Sequence, residues 1–252
     1  MHQNAKVRRA INTLEHPLWN PTKYLTSKYT DMGGATLYSN GLFVPRTEDI
    51  NILNRLLYIA QAKRTNILYF NSMGHLVKEL GYTHTYPNYN MVRLSLLRWK
   101  STNIIFPLNE YRWAKGNVPT QIPVIAFFSY TTQSKSGKGK KFEVIMGATF
   151  YALNNSKYSI MLPINSMEEL KPYTKRLYEI LSKSFYDRDE WVCSSLKLQD
   201  KMMVQKGGYV FNSVIRKSVK ELKHLIDLNV TLKKGNFTFK KMCSADDEDV
   251  LS

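Results

Sequence analysis

The apolar residues of this 252-residue chain change their spacing in the same order twice. Residues 46–64 have a helical period, and 65–70 form a short apolar run. Two more helical segments follow, and then a pair of β segments joined by a basic tip. From residue 166 the pattern recurs as a helix, a strand, two helices and a second hairpin. The recurrence concerns the order of the elements and not the identity of their residues.

This order of helix, strand, helix, helix and hairpin is that of a winged helix. The last helix of a winged helix enters the major groove of DNA, and the hairpin lies alongside. The sequence therefore predicts an α+β protein with two tandem winged-helix domains that carry β-hairpin wings. We expect an N-terminal arm at 1–45, domains at 46–164 and 165–243, and an acidic tail at 244–252.

Capping residues predict where several helices begin and end. Thr47 is expected to cap the first long helix and Ser72 the next one, which Gly81 would end. Pro172 either bends the long helix of the second domain or marks its first residue. These residues indicate the helix boundaries independently of the apolar spacing.

Residues 207–226 form a predicted helix with a cationic side. At 100° per residue, its aliphatic residues and phenylalanine gather on one side. The opposite side carries Asn212, Ser213, Arg216, Lys217, Lys220 and Lys223. Only Glu221 intrudes. A solvated amphipathic helix is the alternative, but such faces usually mix charges because residues four apart favour opposite signs. We therefore expect this side to contact a polyanion.

The residue types on this helix suggest separate roles on duplex DNA. The guanidinium of Arg216 matches the O6 and N7 atoms of guanine, and the amide of Asn212 matches the edge of adenine. Lysines suit phosphates, because an ammonium group is a point charge without directional pairing. Arg216 and Asn212 are therefore expected to recognise bases, while Lys217, Lys220 and Lys223 hold the backbone.

The corresponding helix of the first domain, residues 87–101, has a less regular pattern. Asn90, Ser95 and Arg98 fall on the side opposite its core face, and Arg93 lies on a flank. We take Asn90, Arg93 and Arg98 as candidate DNA contacts. Leu94 also falls on the far side, where it would contact a thymine methyl group or be covered by another element. We favour the second interpretation.

Both predicted wing tips are basic. The first tip carries Lys135, Lys138, Lys140 and Lys141, and the second carries Lys233 and Lys234. Glycines in these tips let the backbone approach a phosphate or a narrow groove closely. A flexible surface turn is the alternative for each tip.

The charge of the whole chain favours the same kind of partner. It has 36 Lys and Arg residues against 20 Asp and Glu residues, a formal net charge of +16. This excess suggests nucleic acid first and an anionic membrane surface second. No apolar run reaches the roughly 18 residues of a membrane span, and the N-terminal residues lack the apolar core of a secretory signal. With only two cysteines, the sequence is typical of a cytoplasmic protein.

The sequence lacks the patterns of common catalytic sites. It contains no phosphate-binding glycine loop, and its five histidines are too scattered to pair along one element. Tyr82 and Tyr86 have a spacing found in tyrosine-dependent DNA nickases, but the paired histidines of such sites are missing. We therefore expect a protein without enzymatic activity, metal or cofactor, and keep the nickase as an alternative.

Both predicted domains resemble those of plasmid replication initiators of the replication initiator protein A and TrfA-like group. The resemblance covers roughly residues 45–240. It rests on three stretches, LYIAQAKRTNILYF, LVKELGYTHTYPNYNMVRLSLLRWKSTNIIF and YTKRLYEILSKSF. It implies a protein that binds direct repeats in a plasmid origin and helps to open an A+T-rich stretch. It also implies a host initiator and a replicative helicase as partners, and a dimer that represses its own promoter.

Two other functions fit part of the pattern. A transcriptional regulator could have the same fold and the same cationic helix. A basic protein of membrane surfaces would bind liposomes and show no preference for duplex DNA.

Overall fold

A computed structural model of the chain describes residues 5–21, 27–32, 35–40, 43–106, 121–131, 141–204 and 208–242. The helices are α1 (Ile11–Glu15), α2 (Thr47–Lys63), α3 (Met73–Glu79), α4 (Tyr86–Ser101), α5 (Ala148–Asn154), α6 (Ile164–Glu169), α7 (Pro172–Ser184), α8 (Ser195–Lys201) and α9 (Gly208–Leu222). The strands are β1 (Lys6–Ala10), β2 (Lys28–Thr30), β3 (Thr36–Ser39), β4 (Ile67–Phe70), β5 (Thr102–Ile105), β6 (Ile122–Pro123), β7 (Ile125–Thr131), β8 (Lys141–Met146), β9 (Ser159–Pro163), β10 (Glu190–Ser194), β11 (Leu228–Lys233) and β12 (Asn236–Lys241).

The first unit has the predicted order of a winged helix. Helix α2 leads into strand β4, the short helix α3 and the longer helix α4, and the hairpin β7–β8 follows. The three strands form one antiparallel sheet in the order β4-β8-β7. Strand β5, predicted between α4 and the hairpin, belongs to a separate sheet with the order β2-β3-β5-β6.

The second unit repeats this arrangement with shorter elements. Helix α7 is followed by β10, α8 and α9, and then by the hairpin β11–β12. Its sheet has the order β10-β12-β11, so the strand between the helices pairs with the second strand of the hairpin in both units. The α+β class and the duplicated order predicted from the sequence are confirmed.

The predicted helix ends are partly confirmed. Ser72 caps α3 by accepting a hydrogen bond from the backbone of His75, and Gly81, with φ of 81°, follows its last turn. Pro172 is the first residue of α7, which decides between the two roles considered for it. The Thr47 prediction was wrong, because α2 is capped through Asp49, whose carboxylate accepts the backbone N–H of Arg46.

The described parts of the segment predicted as an N-terminal arm contribute to the core. Strand β1 pairs antiparallel with β9, and β3 pairs with β5. The side chains of Val7, Leu14, Leu18 and Trp19 have no exposed surface. The prediction was wrong because the partners of these residues lie far along the chain, and polar residues between them hide any local period.

A buried charge cluster joins this segment to both units. The carboxylate of Glu179 in α7 accepts hydrogen bonds from Arg176 and from the indole N–H of Trp19, each at 3.0 Å. Arg9 in β1 lies 3.7 Å from the same carboxylate and donates to Asn54 in α2 at 2.6 Å. Arg9, Arg176 and Glu179 are fully buried, so the cluster ties β1, α2 and α7 together where water does not reach.

Two further links hold the units in place. Lys175 in α7 donates to the Asn51 side chain in α2 at 2.6 Å, and burial lowers the pKa of its ammonium group to about 8. Glu15 at the end of α1 pairs with Lys183 at 2.7 Å and with Lys201. Burial opposes ionisation of Glu15, but the two ammonium groups outweigh it and lower its pKa to about 2. The first contact joins α7 to α2, and the pairs of Glu15 join α1 to α7 and α8.

Candidate nucleic-acid interface

Helix α9 has the cationic side that the sequence predicted. Its buried side is formed by Phe211, Ile215, Ser218, Val219 and Leu222, with Phe211 packed edge-on against Phe237 of β12. Arg216, Lys217 and Lys220 are exposed on the other side, and Asn212 and Ser213 are half-buried beside them. The helix ends at Leu222, so Lys223 lies exposed just beyond its last turn.

The acidic residue of this helix caps α7. One oxygen of Glu221 accepts the backbone N–H of Lys171, the N-cap residue of α7, at 2.9 Å. The other accepts the Thr174 hydroxyl at 2.8 Å. The carboxylate thus satisfies groups at the start of a neighbouring helix, where negative charge is favourable. The exposed side of α9 keeps its positive character.

Replacing Glu221 by glutamine is expected to lower the free energy of unfolding by about 1 kcal/mol, because the α7 terminus loses a charged acceptor. Denaturant unfolding at neutral pH measures the change. Asp227→Asn is the matched control, since it removes the same charge from an exposed residue five positions beyond the end of α9. Equal stability of the two variants would contradict the capping role.

Of the DNA contacts predicted on α4, two are exposed and one is used inside the fold. Asn90 and Arg93 are exposed, as a DNA contact requires. Arg98 is used inside the fold, because its guanidinium donates two hydrogen bonds of 2.8 Å to the fully buried carboxylate of Asp49. We therefore remove Arg98 from the candidate contacts. Leu94 is 40% exposed, so the prediction that another element covers it was wrong.

Helices α4 and α9 correspond at several positions. Four pairs of residues are each separated by the same number of positions along the chain, namely Tyr86 and Tyr209, Arg93 and Arg216, Ser95 and Ser218, and Arg98 and Glu221. Both arginines are exposed and both serines are buried. Ser95 was expected on the far side of α4 and is instead buried. The two units therefore share residues at matching positions of α4 and α9 as well as the order of their elements.

Arg98 and Glu221 both take part in capping the first helix of their unit. Arg98 of α4 holds Asp49, whose carboxylate accepts the N-cap amide of α2. Glu221 of α9 itself accepts the N-cap amide of α7. In each unit a carboxylate joins the last turn of the recognition helix to the first turn of the first helix. The carboxylate belongs to the first helix, α2, in one unit and to α9 in the other.

Two tyrosines that the sequence did not indicate as DNA contacts are exposed on these helices. Tyr86 is the first residue of α4 and is 84% exposed, and Tyr209 in the first turn of α9 is 86% exposed. The sequence pattern suggested Tyr86 only as a nucleophile and suggested no role for Tyr209. Aligning the two helices by their shared arginine and serine would have found both.

The wings contribute fewer described residues. Lys233 and Lys234 are exposed at the tip of β11–β12, where Lys234 and Gly235 have φ of 47° and 77°. Lys141 is the first residue of β8 and is half-buried. Lys135, Lys138 and Lys140 lie outside the described residues.

A cavity of about 410 Å³ lies between the first half of α4 and its wing. It is lined by Met73, Tyr86, Tyr89, Asn90, Arg93, Phe128, Ser129 and Phe142. Tyr89 is packed against α3, where its hydroxyl lies 2.6 Å from the place that a β-carbon on Gly74 would take. The cavity thus borders the exposed side of α4.

Three further features bear on catalysis and membrane insertion. Burial raises the pKa of the Tyr82 hydroxyl to about 12, which disfavours the tyrosinate that a nucleophile needs. Within the described ranges, no three His, Cys, Asp or Glu side chains lie close enough to hold a metal ion. In the same part of the chain, no helix combines the length and apolarity needed to cross a bilayer.

Comparison with known proteins identifies the fold. No family model matches the chain, and no curated protein sequence matches it. A crystal structure of domains 2 and 3 of RctB, as a selenomethionine derivative, superposes with a TM-score of 0.60 at 15% identity, over 92% of this chain and 98% of that one. A second RctB structure, spanning its residues 155–483, has a TM-score of 0.54 at 15% identity, over 90% and 95% of the two chains. This protein has an α+β fold similar to that of domains 2 and 3 of RctB.

Proposed function

We propose that this protein binds double-stranded DNA at specific sequences and acts as a replication initiator, without catalysis. The proposal places α9 and α4 in successive major grooves, with Arg216 and Asn212 on bases and Lys217, Lys220 and Lys223 on phosphates. Lys233 and Lys234 of the second wing would lie on the backbone beside α9.

The exposed side of α9 is the observation that carries the proposal. Arg216, Lys217 and Lys220 are exposed together, while Glu221 is used to cap α7. Like charges on one side of a helix repel each other unless an anionic partner neutralises them. The last helix of a winged-helix order is also the one that enters DNA.

The initiator part of the proposal has separate support. The sequence resembles plasmid replication initiators in the stretches that form its helices and strands. The similarity of its fold to the RctB domains also supports the fold of a replication initiator. The sequence resemblance adds further parts to the proposal. These are membership of the TrfA-like group, binding to origin repeats, a host initiator and a helicase as partners, and a dimeric form.

Two substitutions in α9 test the division between base and phosphate contacts. Arg216→Ala is expected to reduce discrimination between the preferred duplex and a scrambled one by roughly 1–3 kcal/mol. Lys220→Ala is expected to weaken binding to both duplexes alike and to flatten the salt dependence, because it removes a phosphate contact. Fluorescence anisotropy with origin repeats and scrambled duplexes measures both effects.

Three outcomes would contradict the proposal in different ways. Equal affinity of the unmodified protein for both duplexes would refute specific binding. Identical behaviour of the two variants would refute the assigned roles. A covalent adduct with supercoiled plasmid in the presence of Mg²⁺ or Mn²⁺, lost in Tyr86→Phe, would show that the protein is a nickase.

A further inference from the structure

We propose that Tyr86 and Tyr209 are equivalent base-contacting residues, and that the bound DNA contains two copies of one short element. Each copy would be recognised by one tyrosine and one arginine, Tyr86 with Arg93 and Tyr209 with Arg216. This inference rests on the proposed function, because it names the parts of the same DNA surface that set its specificity.

The exposure of the two tyrosines is the first argument. Tyr86 and Tyr209 are 84% and 86% exposed, although large aromatic side chains usually contribute to cores and interfaces. Neither ring is packed into the fold, in contrast to Tyr89, which packs against α3 at Gly74. An exposed ring in the first turn of a recognition helix lies where such helices contact base edges.

Their position relative to the arginines is the second argument. Tyr86 precedes Arg93, and Tyr209 precedes Arg216, by the same seven positions. Seven residues make nearly two turns of helix, so each pair points to the same side. The shared spacing, together with the buried Ser95 and Ser218, means that both helices offer the same two groups in the same arrangement.

This arrangement predicts the composition of the DNA element. A seven-residue separation spans about 10.5 Å along a helix axis, or roughly three base pairs at 3.4 Å each. An arginine fork matches guanine, and an apolar ring matches the methyl group of thymine. We expect a thymine and a guanine about three base pairs apart, occurring once under α4 and once under α9.

The methyl groups of thymine provide the test. Duplexes that the unmodified protein prefers are first selected from a random pool, and each thymine is then replaced in turn by deoxyuridine, which lacks the methyl group. We expect two replacements to weaken binding by about fourfold, the ratio that corresponds to one buried methyl group. Tyr86→Ala should abolish the effect at one thymine and Tyr209→Ala at the other, while Tyr→Phe at either position keeps it.

Tyr186→Ala is the matched control, because Tyr186 is 61% exposed and lies just beyond the end of α7 instead of on α4 or α9. It should leave both methyl effects intact. If Tyr86→Ala and Tyr209→Ala keep every methyl effect, or weaken all duplexes uniformly, the inference is wrong while the proposed function stands. If no duplex is preferred in the selection, the proposed function itself fails.

Discussion

Replacing Glu179 by glutamine is expected to lower the free energy of unfolding by about 3–5 kcal/mol. Glu179 is fully buried between two fully buried guanidinium groups, at 3.0 Å from Arg176 and 3.7 Å from Arg9. Glutamine keeps the shape and one hydrogen-bond acceptor but removes the carboxylate that the two buried guanidinium groups share. Removing one partner of a buried charge cluster is therefore far more costly than breaking an exposed pair.

Denaturant unfolding at neutral pH measures this loss. Glu190→Gln is the control, because it removes the same charge from an exposed residue of β10. Adding Arg9→Met to Glu179→Gln should recover part of the stability, since one uncompensated charge is then removed. Equal stability of Glu179→Gln and Glu190→Gln would show that the cluster does not hold β1, α2 and α7 together.

Replacing Lys217, Lys220 and Lys223 together by alanine is expected to reduce affinity for every duplex by on the order of 10²- to 10³-fold. Each lysine contributes a charge-assisted contact to a phosphate in the proposed complex, and such contacts are among the stronger ones. The slope of log affinity against log salt should flatten by about 0.9 for each contact removed. Preference between duplexes should persist, because Arg216 is unchanged.

A salt titration of binding, followed by anisotropy, measures both quantities. The control removes the same charge elsewhere, through alanine at Lys6, Lys63 and Lys157, which are exposed in β1, at the end of α2 and beyond α5. It should leave the slope nearly unchanged. Equal flattening in both triple variants would mean that net charge, and not the α9 surface, attracts DNA.

The parts of the fold that could be predicted are those with a strong local period. Helices α4 and α9, the short strands before them and the hairpins after them all follow from apolar spacing and capping residues. Segment 5–40 could not be placed in this way, because Val7 pairs across the sheet with Leu162. Such pairing between distant residues leaves no local pattern in either strand.

Which side chains of the candidate site are free to contact DNA depends on tertiary structure that the sequence does not reveal. Arg98 and Glu221 both have charges suited to a surface, but each is used at the first turn of a neighbouring helix. The exposure of Tyr86, Tyr209 and Leu94 is decided by what packs around them. The cationic side of α9 was predictable because helical geometry alone assigns residues to a side.

A hydroxyl-radical footprint of the protein on a selected duplex tests the central claim most directly. If α4 and α9 occupy successive major grooves, two protected segments with centres about 10 bp apart will appear. Protection near α9 should be lost in the triple lysine variant, while the other segment remains. A single protected segment, or protection that ignores sequence, would contradict the account of two equivalent DNA-contacting helices.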